Sequence, residues 1–293
     1  MALWDGTLYP LFDCRAEGAA VGAHILSNGF MAGDTRAVTK TIHTIDAAAE
    51  PAAPSALAEA FYAEAVHELS KLGLPFLLAG TYALSAYTGI TRATKDLDIL
   101  CKPSDYPRIL DRFKTLGYAI EIEDERWLAK IFRGEYFFDV IFASLHGVMP
   151  VSDQWFEHAP RVEVFGTPVH VVAPTELIWS KAFVQLRHRY DGADIVHLIL
   201  KQHDRIDWRR LLGYMDLHWE VLLVHVLNFR WAYPSEREQV PRWLMDELLG
   251  RLEQQLDLPP PRVKICHGRM LSPIDYEWAI KEWGFTDVSE GSE

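Results

Sequence analysis

The stretch from Leu77 to Leu100, LLAGTYALSAYTGITRATKDLDIL, constrains the fold of this chain more than any other. It reads as an apolar strand over 75–79, a small-residue turn at Gly80-Thr81, a short helix over 82–87, a polar loop, and a second strand that opens with Asp96-Leu97-Asp98. Side chains alternate along a strand, so Asp96 and Asp98 share one face and Leu97 and Ile99 the other. Two neighbouring carboxylates repel each other unless a cation sits between them. Oxygen-only ligands of this kind suit a hard ion such as Mg²⁺. The turn in front has complementary chemistry. Gly80 lets the backbone turn sharply and approach a ligand closely. Thr81 stands where a helix begins, as a hydroxyl cap, and nearby free N–H groups can receive phosphate oxygens. An anion site followed by a metal site suits a metal-bound nucleoside triphosphate.

A third carboxylate belongs with these two. The run Tyr136-Phe137-Phe138-Asp139-Val140-Ile141-Phe142 is apolar almost throughout, with Asp139 at its middle. An unpaired buried carboxylate is costly. Either a metal ion shared with Asp96 and Asp98 compensates it, or a salt bridge to a nearby Arg or Lys does.

With these residues in place, the segment resembles the core of the nucleotidyltransferase superfamily related to DNA polymerase beta. The family pattern is a Gly-Gly or Gly-Ser turn, a helix, Asp-x-Asp at the start of the next strand, and a later Asp on a neighbouring strand. It is most similar to the small bacterial abortive-infection and MNT-type toxin nucleotidyltransferases. These carry Gly-Gly-Thr-Ala-Leu where this chain has Ala79-Gly80-Thr81-Tyr82-Ala83-Leu84. The departure is Ala79 in place of the first Gly, which keeps a small residue but changes the tightest backbone contact to phosphate. The resemblance implies a metal-dependent transfer of a nucleoside monophosphate from a nucleoside triphosphate, such as ATP, with release of pyrophosphate. Asp96, Asp98 and Asp139 would be the catalytic, metal-holding residues for two Mg²⁺ ions. Gly80, Thr81, Lys95, Arg92 and Lys181 would border the triphosphate. The family also has a Lys in the helix that carries Lys181, followed by a basic residue and an Asp-x-x-Asp-Leu pattern like that around Asp191 and Asp194. Asp194 is expected to brace a helix or pair with an Arg rather than to hold metal.

At 293 residues, with 49% hydrophobic and 24% charged residues, the composition is that of a soluble globular protein. The net charge of −12 argues against a general nucleic-acid binder, whose affinity comes from cations meeting phosphates, though not against a local basic groove. Cys14, Cys101 and Cys266 lie far apart, form no zinc spacing, and fit a reducing cytosol. No signal peptide and no membrane-length apolar run is expected.

The remaining elements follow from periodicity. Residues 1–54 read as an extension ending in an Ala/Pro-rich linker at 47–55, and 55–172 as the nucleotidyltransferase-like core. In that core Leu57, Phe61, Ala65, Leu69 and Leu72 mark a helix stopped by Gly73, and a second helix follows Ser104-Asp105, which would cap it. Strands are expected over 118–122, 127–132 and 136–142, and a hairpin over 161–172. Residues 173–293 read as a mainly helical C-terminal domain, beginning with a helix from Pro174 through Lys181 to about His188. The fold class is therefore α+β: a mixed sheet flanked by helices, followed by a mostly helical part. His218 and His225 read as core residues, and the dipeptide His203-Asp204 lacks further ligands. Arg187, Arg189, Arg205, Arg209 and Arg210 read either as solvated helix faces or as a patch for RNA or the triphosphate.

Two function classes remain. The first is an enzyme moving a nucleotidyl group to an acceptor hydroxyl on RNA (tRNA), a protein or a small molecule. The second is a non-catalytic nucleotide-binding or regulatory protein on the same fold, such as one half of a toxin–antitoxin-like pair. The three carboxylates favour the first.

Overall fold

The computed structural model describes residues 56–92, 94, 96–143, 150–185, 189–268 and 275–288. The expected extension 1–54, Cys14, Lys95, Arg187 and His188 thus lie outside the described residues.

In chain order the elements are α1 (Ala56–Leu72), β1 (Phe76–Leu78), α2 (Gly80–Thr88), β2 (Asp98–Cys101), α3 (Tyr106–Thr115), β3 (Ala119–Asp124), β4 (Leu128–Arg133), β5 (Tyr136–Ile141), α4 (Asp153–Glu157), β6 (Arg161–Val164), β7 (Thr167–Val171), α5 (Pro174–Ala182), α6 (Gly192–Gln202), α7 (Trp208–Tyr214), α8 (Trp219–Ala232), α9 (Arg242–Leu256), β8 (Ile265–Cys266), α10 (Glu277–Lys281) and β9 (Thr286–Asp287). Strands β1 to β7 form one sheet in the order β3-β4-β5-β2-β1-β7-β6. The pairs β1–β7 and β2–β5 are parallel and the others antiparallel, so the sheet is mixed and the class is α+β, as expected.

The centre of the sheet is apolar on both faces: all three residues of β1 are buried. Helix α1 packs Phe61, Tyr62, Ala65, Val66 and Leu69 inward at helical spacing and stops at Gly73, whose φ of +69° suits glycine. Phe138 of β5 meets Phe61 of α1 and Phe113 of α3, with ring centroids 6.2 and 5.0 Å apart. That contact marks the α1/α3 face of the sheet. By alternation, Asp139 points to the opposite face.

Behind that face helices stack in succession: α2 against α5 and α6, α5 against α6, and α6 against α8. Buried apolar residues form one cluster from Ala58 to Leu248. Among the described residues, no helix is long and apolar enough to cross a membrane.

Local details depart from the sequence expectation. The strand β2 starts at Asp98, so Asp96 precedes it, although the Asp139 N–H still donates to the Leu97 carbonyl at 2.8 Å. Helix α2 begins at Gly80 with Ala79 as its N-cap and no side-chain cap, so Thr81 lies inside the first turn instead of capping it. Asp105 occupies the N-cap of α3 but makes no side-chain cap bond. Helix α5 ends at Ala182 rather than near His188. The chain turns back, with an isolated bridge between Gln185 and Tyr190 and a bond from the Asp191 N–H to the Val184 carbonyl at 2.9 Å. That return brings Asp191 against Lys181.

Candidate active site

The centre of the site is set by strand register. In the parallel pair β2–β5, Asp98 stands directly opposite Asp139, so both carboxylates leave the sheet on the same face. Asp96, two residues before Asp98, joins them. One oxygen from each of the three lies within 4.8 Å of the others, and among the described residues this is the only His/Cys/Asp/Glu group so spaced. The consequence is electrostatic strain. Burial, then Asp96, then Asp139 push the Asp98 carboxyl up to about 7. Burial raises Asp139 to about 6, while Lys130 pulls it down. Converging carboxylates, with Asp98 and Asp139 held above the usual range, are a cluster short of positive charge, and an all-oxygen donor set fits a hard divalent cation.

Both compensations considered for Asp139 are in reach. It faces the other two carboxylates, and Lys130, its register partner on β4, brings Nζ to 3.0 Å from Asp139 Oδ1 and 3.1 Å from Glu123. Thr94 donates its hydroxyl to Asp96 Oδ1 at 2.9 Å, orienting that carboxylate.

Gly80 is moulded to the same cluster. A Cβ built there would lie 1.7 Å from Asp98 Oδ2, and φ is +54°. No other residue fits without moving the carboxylate or straining the backbone.

A cavity of about 290 Å³ opens beside this turn. Its walls include Gly80, Thr81, Arg92 and Lys181 together with Asp96 and Asp98. Four of the five residues expected around a triphosphate are therefore brought together, and the fifth, Lys95, lies outside the described residues. Two of them are held by one carboxylate. Asp194, near the start of α6, accepts both guanidinium nitrogens of Arg92 at 2.9 and 2.8 Å and lies 2.8 Å from Lys181 Nζ. Burial pushes the Asp194 carboxyl up, but Arg92 and Lys181 outweigh it and hold it below the usual range. Lys181 also bonds Asp191 at 2.7 Å and is buried.

A second cavity, of about 260 Å³, shares Gly80, Asp96, Asp98, Lys181, Arg189 and Asp191 with the first. Its remaining lining is largely apolar, with Trp127, Leu128, Ile141, Trp155, Leu177 and Val184, and also includes Asp139 and Lys130. The carboxylate cluster thus divides a polar hollow from a more apolar one.

Sequence reasoning passed over three site residues. Lys130 interrupts the apolar run of β4 as Asp139 interrupts β5, and that signal was available. Arg189 appeared only as a member of an arginine cluster, and Tyr190 carried no signal. The cluster disperses: Arg189 lines both cavities, Arg209 lies over the Trp243 ring, and Arg210 pairs with Glu176 and Asp207. His225 is fully buried with Nε2 2.8 Å from the Ala182 carbonyl oxygen, and His218 packs edge-on to Phe183; both are packing residues.

The family model described as "Uncharacterised nucleotidyltransferase" matches residues 55–229. No curated protein matches the chain. Among solved structures, the chain is similar to the antibiotic-resistance factor ANT(2'')-Ia, at 18% identity and TM-score 0.35 over 61% of this chain and 97% of that one. It is likewise similar to the lincomycin-bound lincosamide antibiotic adenylyltransferase LnuA, at 17% identity and TM-score 0.35 over 48% and 94%. A third is an antigenic nucleotidyltransferase-like protein from Paracoccidioides brasiliensis, at 13% identity and TM-score 0.40 over 63% and 92%.

Proposed function

The chain belongs to this family of nucleotidyltransferases, and from that premise we propose that it moves a nucleoside monophosphate from a nucleoside triphosphate to the hydroxyl of a compact acceptor, releasing pyrophosphate. One observation carries the reading: Asp96, Asp98 and Asp139 converge beside a glycine turn that has no room for a side chain.

Asp96, Asp98 and Asp139 are the residues that would hold Mg²⁺. The bound ions would neutralise the triphosphate and lower the pKa of the acceptor hydroxyl. The chain supplies the remainder. The first-turn N–H groups of α2 at Gly80 and Thr81 receive phosphate oxygens. Arg189 and Lys181 balance the charge that develops on the leaving pyrophosphate. Arg92, tied to Asp194, adds positive charge to the wall of the polar hollow. On the apolar side, Trp127, Leu177 and Val184 exclude water and seat the body of the acceptor, which supports a small molecule over an RNA end or a protein. The acceptor oxygen forms a bond to the α-phosphorus as the bond to the pyrophosphate oxygen breaks, and Asp139 Oδ2 takes the hydroxyl proton.

A second reading has one observation in its favour. The Lys130–Asp139 pair compensates Asp139 without a metal, as a binding protein on this fold would require. The two are separated by Asp96→Asn, Asp98→Asn and Asp139→Asn, assayed for pyrophosphate release and for label transferred from α-labelled ATP, GTP, CTP and UTP with Mg²⁺. Small metabolites, RNA and protein are offered as acceptors. On the enzyme reading each variant loses more than about 99% of the wild-type rate, as expected when charge-stabilising groups are removed, and keeps its melting temperature. Wild-type protein that binds nucleotide but labels nothing would instead establish the binding protein.

A further inference from the structure

Among the described residues, the polar cavity has one aromatic residue in its wall, Tyr190, and that residue is unusually constrained for one so open. It is 55% exposed. Its backbone is pinned by the bridge to Gln185 and by the bond from the next residue, Asp191, to the Val184 carbonyl. Its ring lies over Gly192, where an added Cβ would fall 2.3 Å from the ring Cζ and from the hydroxyl oxygen. Asn228 of α8 donates to that hydroxyl at 3.4 Å. A side chain that serves only solubility needs none of these restraints. Burial does not explain them, because more than half of the residue faces solvent.

The neighbourhood indicates what the ring meets. Its cavity also holds Gly80, Thr81, Arg92 and Arg189, the groups suited to phosphates. A flat, polarizable ring held rigidly at the edge of a phosphate site is suited to stack a nucleobase. We infer that Tyr190, seated on Gly192, is the platform for the base of the nucleoside triphosphate, and that it favours purines, whose larger ring system covers more of it. The inference rests on the nucleotidyl-transfer reading, and it adds the part of the site that separates nucleotides from bare phosphate chains and purines from pyrimidines.

The test measures binding in the absence of acceptor, with Mg²⁺ and three probes: α,β-methylene ATP, α,β-methylene UTP and inorganic tripolyphosphate. Tyr190→Ala is expected to weaken the ATP analogue about tenfold, the UTP analogue by less, and tripolyphosphate by less than about twofold. Tyr190→Phe should stay within about twofold of wild type for all three, since stacking survives loss of the hydroxyl. Trp127→Ala, on the apolar side, should leave the ATP-to-UTP ratio unchanged. Equal weakening of all three probes by Tyr190→Ala, no weakening of any, or a collapse of the ATP-to-UTP ratio in Trp127→Ala would each overturn the assignment. A wild-type protein that binds none of the probes would instead remove the nucleotidyl-transfer reading on which it stands.

Discussion

At Gly80 the wall of the site is made by an atom that is missing. The Asp98 carboxylate fills the space a Cβ would take, and the positive φ adds a second reason for glycine. Gly80→Ala should therefore cost about 2 kcal/mol or more, from backbone strain plus displacement of Asp98. Urea unfolding of Gly80→Ala, Asp98→Ala and the double variant checks this. The cost of the glycine change should fall by about 1 kcal/mol once the carboxylate is gone, because residues in contact are not additive. Full additivity would mean that the two positions do not compete for space. The same scale shows what was legible in the chain. Asp98 and Asp139 could be read because a charge in an apolar strand stands out against a two-residue period, and Asp96 through its spacing from Asp98. Lys130 obeys that rule and was readable too. Arg189 and Tyr190 sit where the chain doubles back after α5, and no periodicity announces which way such a return points its side chains.

Helices α5 and α6 are joined by charge as well as by packing. Lys181 is nearly enclosed between Asp191 and Asp194, and Asp194 also carries Arg92. Removing one member of a buried ionic group leaves its partners uncompensated. Lys181→Met should lower stability by about 3 kcal/mol, whereas Arg92→Met, whose head is half in solvent, should cost less than about 1 kcal/mol; denaturant titration reads both. Helix α8 meets α5 through His225, which is held neutral. Burial keeps it below its ordinary value of 6.5, and among the described residues its Nδ1 has no hydrogen-bond partner. The unfolded chain then binds the proton more readily than the folded one, so His225 contributes stability above pH 6.5 that is lost on acidification. Melting temperature followed from pH 7.5 to 5 should fall less steeply in His225→Gln than in wild type. The elements themselves were mostly legible from apolar spacing, including α1, the sheet strands and the hairpin β6–β7. The end of α5 was not. The sequence continues without Gly or Pro, and the return that sets Asp191 against Lys181 is tertiary.

The apolar cluster ends at Leu248, and beyond α9 the chain carries mostly exposed residues in α10 and the two-residue strands β8 and β9. Deleting 257–293 should shift the melting temperature by less than about 3 °C, because the described residues of this tail are mostly exposed. A larger drop in a thermal melt would mean that this tail stabilises the helices. The mixed character of the sheet was readable from the order of helices and strands, but the β3-β4-β5-β2-β1-β7-β6 order was not, since parallel neighbours such as β2 and β5 are far apart in sequence. That pairing has a kinetic consequence. If β5 docked on β2 one residue out of step, Asp139 would swing to the face that carries Phe61 and Phe113, and Phe138 or Val140 would take its place in the cluster. Such a molecule would be compact, helical and fluorescent much like the native one, yet it would have lost its third carboxylate. Recovery of activity during refolding would therefore count molecules with the correct strand alignment, and a lag behind the circular dichroism signal would measure how long β5 searches for it.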